Sequence, residues 1–308
     1  MLTLREATGG RLRALLPVVR HGGWTHVPSN PHTPAVAPVA DGPDALARLA
    51  EALVNLAGPA LRVGPLDAAG GFHDALAAVA AARRRIVRSR TVLRSPYAVM
   101  DDGGPLALVS RGLRKEIGRY RRRLEAMGDL RLEIAREPDA GLRALDDLVD
   151  IEARGWKGAA GTAISGDDGA RRLYRDVTVW AARTGRLRLA VLRLDGRPLA
   201  AELDLAEGDA LYALKTGFDP EFARLGPGHL LVATLLEELR PEGVRRYEML
   251  GDDDPYKMRW TDTVHDMREV TVFTPSPRGV AALGRARLVP AVHRRAVRLA
   301  GAARPGDR

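Results

Sequence analysis

ALYALKTGFDPEFARLGPGHLLVATLLEELRPEGVRRYEMLGDDDPYKMRWT, residues 210–261, decides the reading of this 308-residue chain. It divides into a strand, a Gly-Pro-Gly turn at Gly226–Gly228, a helix from about His229, a second strand and a short aromatic and basic segment. Six of the chain's fourteen aromatic residues lie here: Tyr212, Phe218, Phe222, Tyr247, Tyr256 and Trp260. So do Lys215 and Lys257, two of only four lysines among 48 basic residues. Gly226 and Gly228 have no Cβ, so an anion can approach their backbone N–H groups. The following helix turns the positive end of its dipole on the same point. The turn reads as a phosphate-binding device.

Upstream of it the pattern is regular from Asp129. DLRLEIAR alternates as a strand, the stretch EPDAGLRALDDLVDIEARGW is helical with a cap near Asp139, and ARRLYRDVTVWAARTG is helical up to Gly185. Three strands follow, RLRLAVLRLDG, RPLAAELDLAEG and ALYALKTGFD. Asp195-Gly196 and Glu207-Gly208-Asp209 between them have hairpin chemistry, which forces an antiparallel meander. After the Gly-turn helix come the strand RRYEMLG, the short helix DPYKMRWT and the last strand REVTVFT.

The first third alternates strand and helix, as an α/β lobe does. LTLREA reads as a strand, Leu12 to Val19 as a helix, PAVAPVA as a proline-interrupted edge strand, and DALARLAEALVNLAG as a helix capped by Asp44. ALRVGPL, a helix from Gly71 to about Arg84 and the extended RRIVRSRTVLRSPYAVMD complete it. The run Asp101-Asp102-Gly103-Gly104-Pro105 marks a border. Beyond it SRGLRKEIGRYRRRLEAMG is a strongly basic helix with Leu113, Ile117, Leu124 and Met127 along one side. The division expected is 1–104, 105–275 and a basic, partly helical tail 276–308.

Composition bounds the chemistry. The length suggests about two domains. There is no cysteine, which removes disulfides, thiol nucleophiles and cysteine metal sites, and the seven histidines lack ligand spacing, so no metal is expected. No eighteen apolar residues run together and the first residues hold no uninterrupted apolar core of a leader, so a cytoplasmic location is the simplest reading. A net charge of +9 and a pI of about 10.4 suit a polyanionic partner, although arginines that only solvate helix faces explain them equally.

Strand, two helices, three-stranded meander, Gly-turn helix, strand, helix, strand is the order of the Gcn5-related N-acetyltransferase (GNAT) fold. Residues 110–275 resemble the acetyltransferase domain of the cellulose-biosynthesis (CelD/BcsL-type) family, which is similar to the Fem-type aminoacyltransferases. The resemblance is carried by Ser110 with the basic helix after it, Trp156-Lys157-Gly158, Gly196 to Ala201, Phe218-Asp219-Pro220, Pro227 to Leu231, and Gly251 with Tyr256-Lys257 and Trp260. It implies an α/β (α+β) fold with a central mixed, mostly antiparallel, splayed sheet flanked by helices, beside a smaller degenerate GNAT-like N-terminal lobe. It also implies acyl transfer from acetyl-CoA or another acyl-CoA to an amine or hydroxyl of a small-molecule or envelope and polysaccharide-precursor acceptor. An aminoacyl-tRNA donor, as in Fem-type enzymes, and a catalytically silent binding module are the alternatives. The phosphate loop departs from the usual Arg/Gln-x-x-Gly-x-Gly/Ala: Ala223 stands three places before Gly226, and Arg224 one place late.

Thioester aminolysis needs a polarised carbonyl, a deprotonated nucleophile and a protonated leaving thiolate. The resemblance implies that the strand 212–217 and the strand 247–250 splay apart to hold the pantetheine arm. Leu214, Lys215 and Thr216 would then line the thioester, with a backbone N–H there as polariser, while Arg224, Gly226, Gly228, His229 and Leu230 hold the diphosphate. Glu202 is the candidate base, the lone acid in an apolar strand before Asp204 on the same face; an ordinary carboxylate on a wet sheet face is the competing reading. Tyr256 is the candidate acid or a packed aromatic. Lys257 is catalytic, pairing a phosphate or carboxylate, or a surface lysine. By alternation Lys215 faces the cleft or solvent. Trp156, Lys157, Tyr212 and Asp252 are candidates for the acceptor side, with Ser165 and Asp167 weaker ones.

Overall fold

The computed structural model describes residues 1–6, 10–30, 32–100, 103–154 and 166–286. The chain forms two compact units, residues 1–94 with those from 265 onward, and residues 95–264, against borders expected at 104 and 275.

The first unit contains β1 (Leu2–Arg5), β2 (Leu12–Leu16), β3 (Val19–His21), β4 (Trp24–His26), β5 (Val39–Ala40), α1 (Gly42–Leu56), β6 (Ala60–Asp67), α2 (Gly71–Ala82) and most of β7 (Ile86–Val99). Strands β1, β2 and β5 form a small antiparallel sheet with β5 at its edge, where the prolines require it. Strand β4 runs parallel to β6, which also pairs antiparallel with the last strand, Val264–Phe273. Leu49, Leu53 and Leu76 from the helices pack against Leu61, Val63 and Val270. Two expectations are corrected here. The helix expected at 12–19 is two strands, because LRALL alternates its burial and sends Ala14 and Leu16 to the core. The N-cap of α1 is Asp41, and Asp44 lies within the first turn.

The second unit opens with the end of β7, then α3 (Pro105–Leu108), α4 (Arg111–Glu125), β8 (Leu130–Ala135), α5 (Pro138–Arg154), α6 (Asp168–Arg183), β9 (Leu187–Leu194), β10 (Arg197–Glu207) and β11 (Ala210–Phe218). A 3-10 helix (Pro220–Leu225), α7 (Pro227–Leu239), β12 (Arg246–Glu248) and a 3-10 turn (Lys257–Arg259) complete it, and β13 (Val264–Phe273) with a last described helix, residues 277–286, belongs to the first unit. The sheet of the second unit runs β7-β12-β11-β10-β9-β8. Only β11 and β12 pair in parallel there, so the sheet is mixed and mostly antiparallel. The β9–β10 hairpin turns on Asp195 (φ 49°) and Gly196 (φ 80°), the doubly left-handed turn that this dipeptide favours.

Helices cover both faces of this sheet. Leu113, Ile117 and Leu124 of α4 join Leu230, Leu231, Leu235 and Leu236 of α7 over Ala190, Leu192, Ala200 and Leu211. On the other face Leu145, Leu148 and Ile151 of α5 and Tyr174 and Ala181 of α6 meet Leu187, Leu189 and Leu203. Each such leucine contributes about 1.5–3 kcal/mol by leaving water. Met127, expected on the apolar side of α4, lies past its end and is 54% exposed. Ser110 caps α4 by accepting from the Leu113 amide at 3.2 Å.

Candidate active site

The strand pair that sequence singles out is joined over three residues only. Strand β12 pairs with β11 only at Ala210–Arg246, Leu211–Tyr247 and Tyr212–Glu248. Strand β11 continues to Phe218, so the edge of residues 213–218 away from β10 is left without β12 as a partner. An edge of alternating N–H and C=O groups is what an extended ligand arm can pair with.

At the end of β11 the chain makes the turn. Asp219 caps the 3-10 helix, accepting from the Glu221 amide at 3.1 Å, and Gly226 ends that helix in the left-handed conformation (φ 51°) while starting α7. Pro227 at the first position of α7 has no N–H to lose, so the donors at this end are the amides of Gly228 and His229. The Tyr120 ring of α4 lies directly over Gly226: a Cβ there would sit 2.3 Å from its Cε2. Around Gly228 there is space, with Phe218 3.8 Å from a built Cβ. The Leu230 amide bonds Gly226 O at 3.1 Å and its side chain is buried in the core, whereas Arg224 is exposed. His229 Nδ1 accepts from Trp260 Nε1 at 3.0 Å. Burial, helped by Arg259, pushes its pKa down to about 4, so it is a neutral ring at pH 7.

Beneath these strands lies a sealed polar cluster. Glu202 and Asp204, 1% and 0% exposed, stand two residues apart on one face of β10. Tyr247 of β12 donates to Glu202 Oε1 at 2.6 Å. Burial raises the Glu202 carboxyl, while hydrogen bonds from Tyr247, Thr216 and Asp204 and the charge of Lys257 oppose the rise. Asp204 has no such help: its carboxyl meets that of Glu202, and neither of its buried oxygens has another partner among the described residues. Burial first and the adjacent Glu202 second hold its carboxyl well above the ordinary range.

Tyr256 and Lys257 border this cluster. Tyr256 is 47% exposed, and the partial loss of water from its phenol, then Glu202 and Asp254, raise it, so it stays protonated. Lys257 is 7% exposed, and its Nζ donates to the carbonyls of Leu250 (2.8 Å) and Asp252 (2.9 Å) and pairs with Asp254 (3.1 Å). It thereby staples a turn in which Leu250 (φ 49°) and Gly251 (φ 64°) are both left-handed, a conformation that costs a non-glycine residue about 1–2 kcal/mol. Asp252 itself is exposed.

Lys215 faces neither cleft nor solvent. A bulge opposite Leu203/Asp204 breaks the strand's alternation, and Lys215 turns to α5, where it pairs with Glu152 at 2.9 Å and sits over the Tyr174 ring. Leu214 packs on the same side, while Thr216 is on the Glu202 side. Tyr212 is half-buried at the last β11–β12 pair. Asp167 is the N-cap of α6, bonding the amides of Gly169 (2.7 Å) and Ala170 (3.2 Å). Trp156, Lys157 and Ser165 lie outside the described residues. Sequence reasoning missed two contacts, the Tyr247–Glu202 bond and Tyr120 over Gly226. Tyr120 follows Leu113 by seven and Ile117 by three on the buried stripe of α4, which was the available signal. Among the described residues no group of three or more metal-binding side chains gathers, and no helix is long and apolar enough to cross a membrane.

Residues 111–258 match the family described as "Acetyltransferase (GNAT) domain". Over that stretch the mixed α/β framework, a large sheet flanked by helices, is consistent with a GNAT fold. Solved structures of similar fold include the C-terminal DUF2156 domain of a proposed lysylphosphatidylglycerol synthetase from Agrobacterium fabrum, with TM-score 0.57 and 16% identity over 93% of this chain and 88% of that one. FemX has TM-score 0.57 and 12% identity over 87% of each chain. L-PGS from Bacillus licheniformis has TM-score 0.54 and 12% identity over 93% of this chain and 88% of that one. These likenesses are of fold. No curated protein matches the chain by sequence.

Proposed function

We propose that the chain transfers an acyl group, acetyl in the simplest case, from an acyl-CoA thioester to an amine or hydroxyl of a small-molecule or envelope or polysaccharide-precursor acceptor. The observation that carries this reading is the end of β11–β12 pairing at Tyr212–Glu248, beside a helix N-terminus with open space at Gly228. The amides of Gly228 and His229 and the α7 dipole receive the diphosphate. The pantetheine arm pairs with the open edge of residues 213–218, where a backbone N–H polarises the thioester carbonyl. The acceptor's lone pair attacks that carbon, the C–S bond breaks, and the Tyr256 hydroxyl supplies the proton taken up by the thiolate. The acceptor's own proton goes to Glu202. Because Glu202 is 1% exposed, the proton travels through a hydroxyl that meets both the carboxylate and the gap, a description that fits Thr216. Lys257 serves by holding the turn after β12 in place. Unit 1 is, in this reading, a companion GNAT-like lobe.

A second reading replaces acyl-CoA by an aminoacyl-tRNA. It is favoured by the outer side of α4, where Arg114, Lys115 and Arg122 are joined in no ion pair among the described residues, while Glu116 of the same helix is taken by Arg259 at 2.6 Å. The two readings separate in one experiment. Millimolar CoA raises the melting temperature on the first, because a ligand of the native state stabilises it by mass action. A shift with charged tRNA and none with CoA selects the second.

A further inference from the structure

The sealed cluster under β11 contains a carboxyl that the proposed chemistry does not use. Asp204 is fully buried, and among the described residues its carboxyl meets no polar partner except the carboxyl of Glu202. The cation opposite it in the β9–β10 register, Arg188, is committed elsewhere, to Glu242 at 2.8 Å and to the carbonyls of Gly185 and Leu187. The other groups facing the pair favour its neighbour: Tyr247 donates to Glu202, Thr216 bonds it, and the Lys257 charge lies on its side. Tyr256, which also borders the pair, is raised by the Glu202 charge. Helix α7 packs here with leucines. Two carboxylates cannot both be ionised side by side in a dry site, and the acceptor bonds that stabilise a charge converge on only one of them.

We infer that Asp204 is a positioning residue that keeps the single proton of the Glu202–Asp204 couple, leaving Glu202 as the carboxylate charged to receive a proton. The inference rests on the acyl-transfer reading for its use, but not for its test. In protein labelled with ¹³C at the aspartate carboxyl by cell-free synthesis, one resonance stays at the neutral-acid position at pH 7 and is absent from Asp204→Asn. Finding every aspartate ionised at pH 7 overturns the inference. In turnover, the acid limb set by Glu202 keeps its pH in Asp204→Asn, whose amide can replace the acid as donor. In Asp204→Ala the limb moves to higher pH, because Glu202 then loses that donor. A shift to lower pH in both variants would mean that Asp204 had been the charged member, and overturns the inference as well. If Asp204→Ala does not fold, the labelled wild type and Asp204→Asn decide alone. Absence of turnover with any thioester sinks the acyl-transfer reading, while the carboxyl resonance still places the proton.

Discussion

At Gly228 a methyl group is tolerated by the protein and not by a diphosphate. Its φ is not left-handed, its neighbourhood is open, and it sits in the first turn of α7. Gly228→Val is therefore expected to keep the wild-type melting temperature and to lose the CoA-induced rise; calorimetric titration with CoA checks this. Gly226 is the opposite case, since its left-handed backbone and the Tyr120 ring both exclude a side chain. Glu202→Gln should reduce turnover at pH 7 by about 10²–10⁴-fold, the usual worth of a proton acceptor, with CoA affinity unchanged. A release assay for free thiol measures the first, and titration the second. His229 gives a pH dependence with a definite sign. Its folded pKa of about 4 lies below its ordinary value, so the stability it contributes is fully present above about 6.5 and is lost as pH falls toward 4. Urea unfolding at pH 7 and pH 5 should show a larger drop for wild type than for His229→Gln.

Among the elements, β11 does most to shape the site, and it shows where sequence reading stops. The meander, the Gly-turn helix and the hairpin at Asp195-Gly196 were legible, because period-two alternation and turn chemistry are local signals. The bulge facing Leu203/Asp204 is not local: it arises where β10 and β11 fall out of register, and it turns Lys215 from the expected cleft to α5. The same limit explains residues 12–19, where three leucines suit a helix until β1 and β5 supply strand partners. Glu202 and Asp204 were legible as acids in an apolar strand, but their burial under α7 and the grip of Tyr247 required the fold. The Lys215–Glu152 pair offers a test at this scale. Lys215→Met removes the cation paired with a carboxylate that is 1% exposed and should lower stability, whereas adding Glu152→Leu should restore part of the loss. Chemical denaturation of the three proteins measures both steps.

For the whole molecule the issue is which polyanion the net charge of +9 serves. Many arginines on the sheet and loops are spent on neighbours, as Arg136 and Arg188 are on Glu242 and Arg193 on Glu133 and Asp147. On the outer face of α4, Arg114, Lys115 and Arg122 have no ion pair among the described residues. The central claim is nonetheless made of backbone: amides at the start of α7 and an unpaired edge of β11 form one continuous seat for a diphosphate and its thioester arm. Hydrogen–deuterium exchange with and without saturating CoA tests it most directly. The account predicts slowed exchange in the two segments 213–218 and 226–230 together. Slowing confined to other segments, at CoA concentrations that saturate binding, would contradict it.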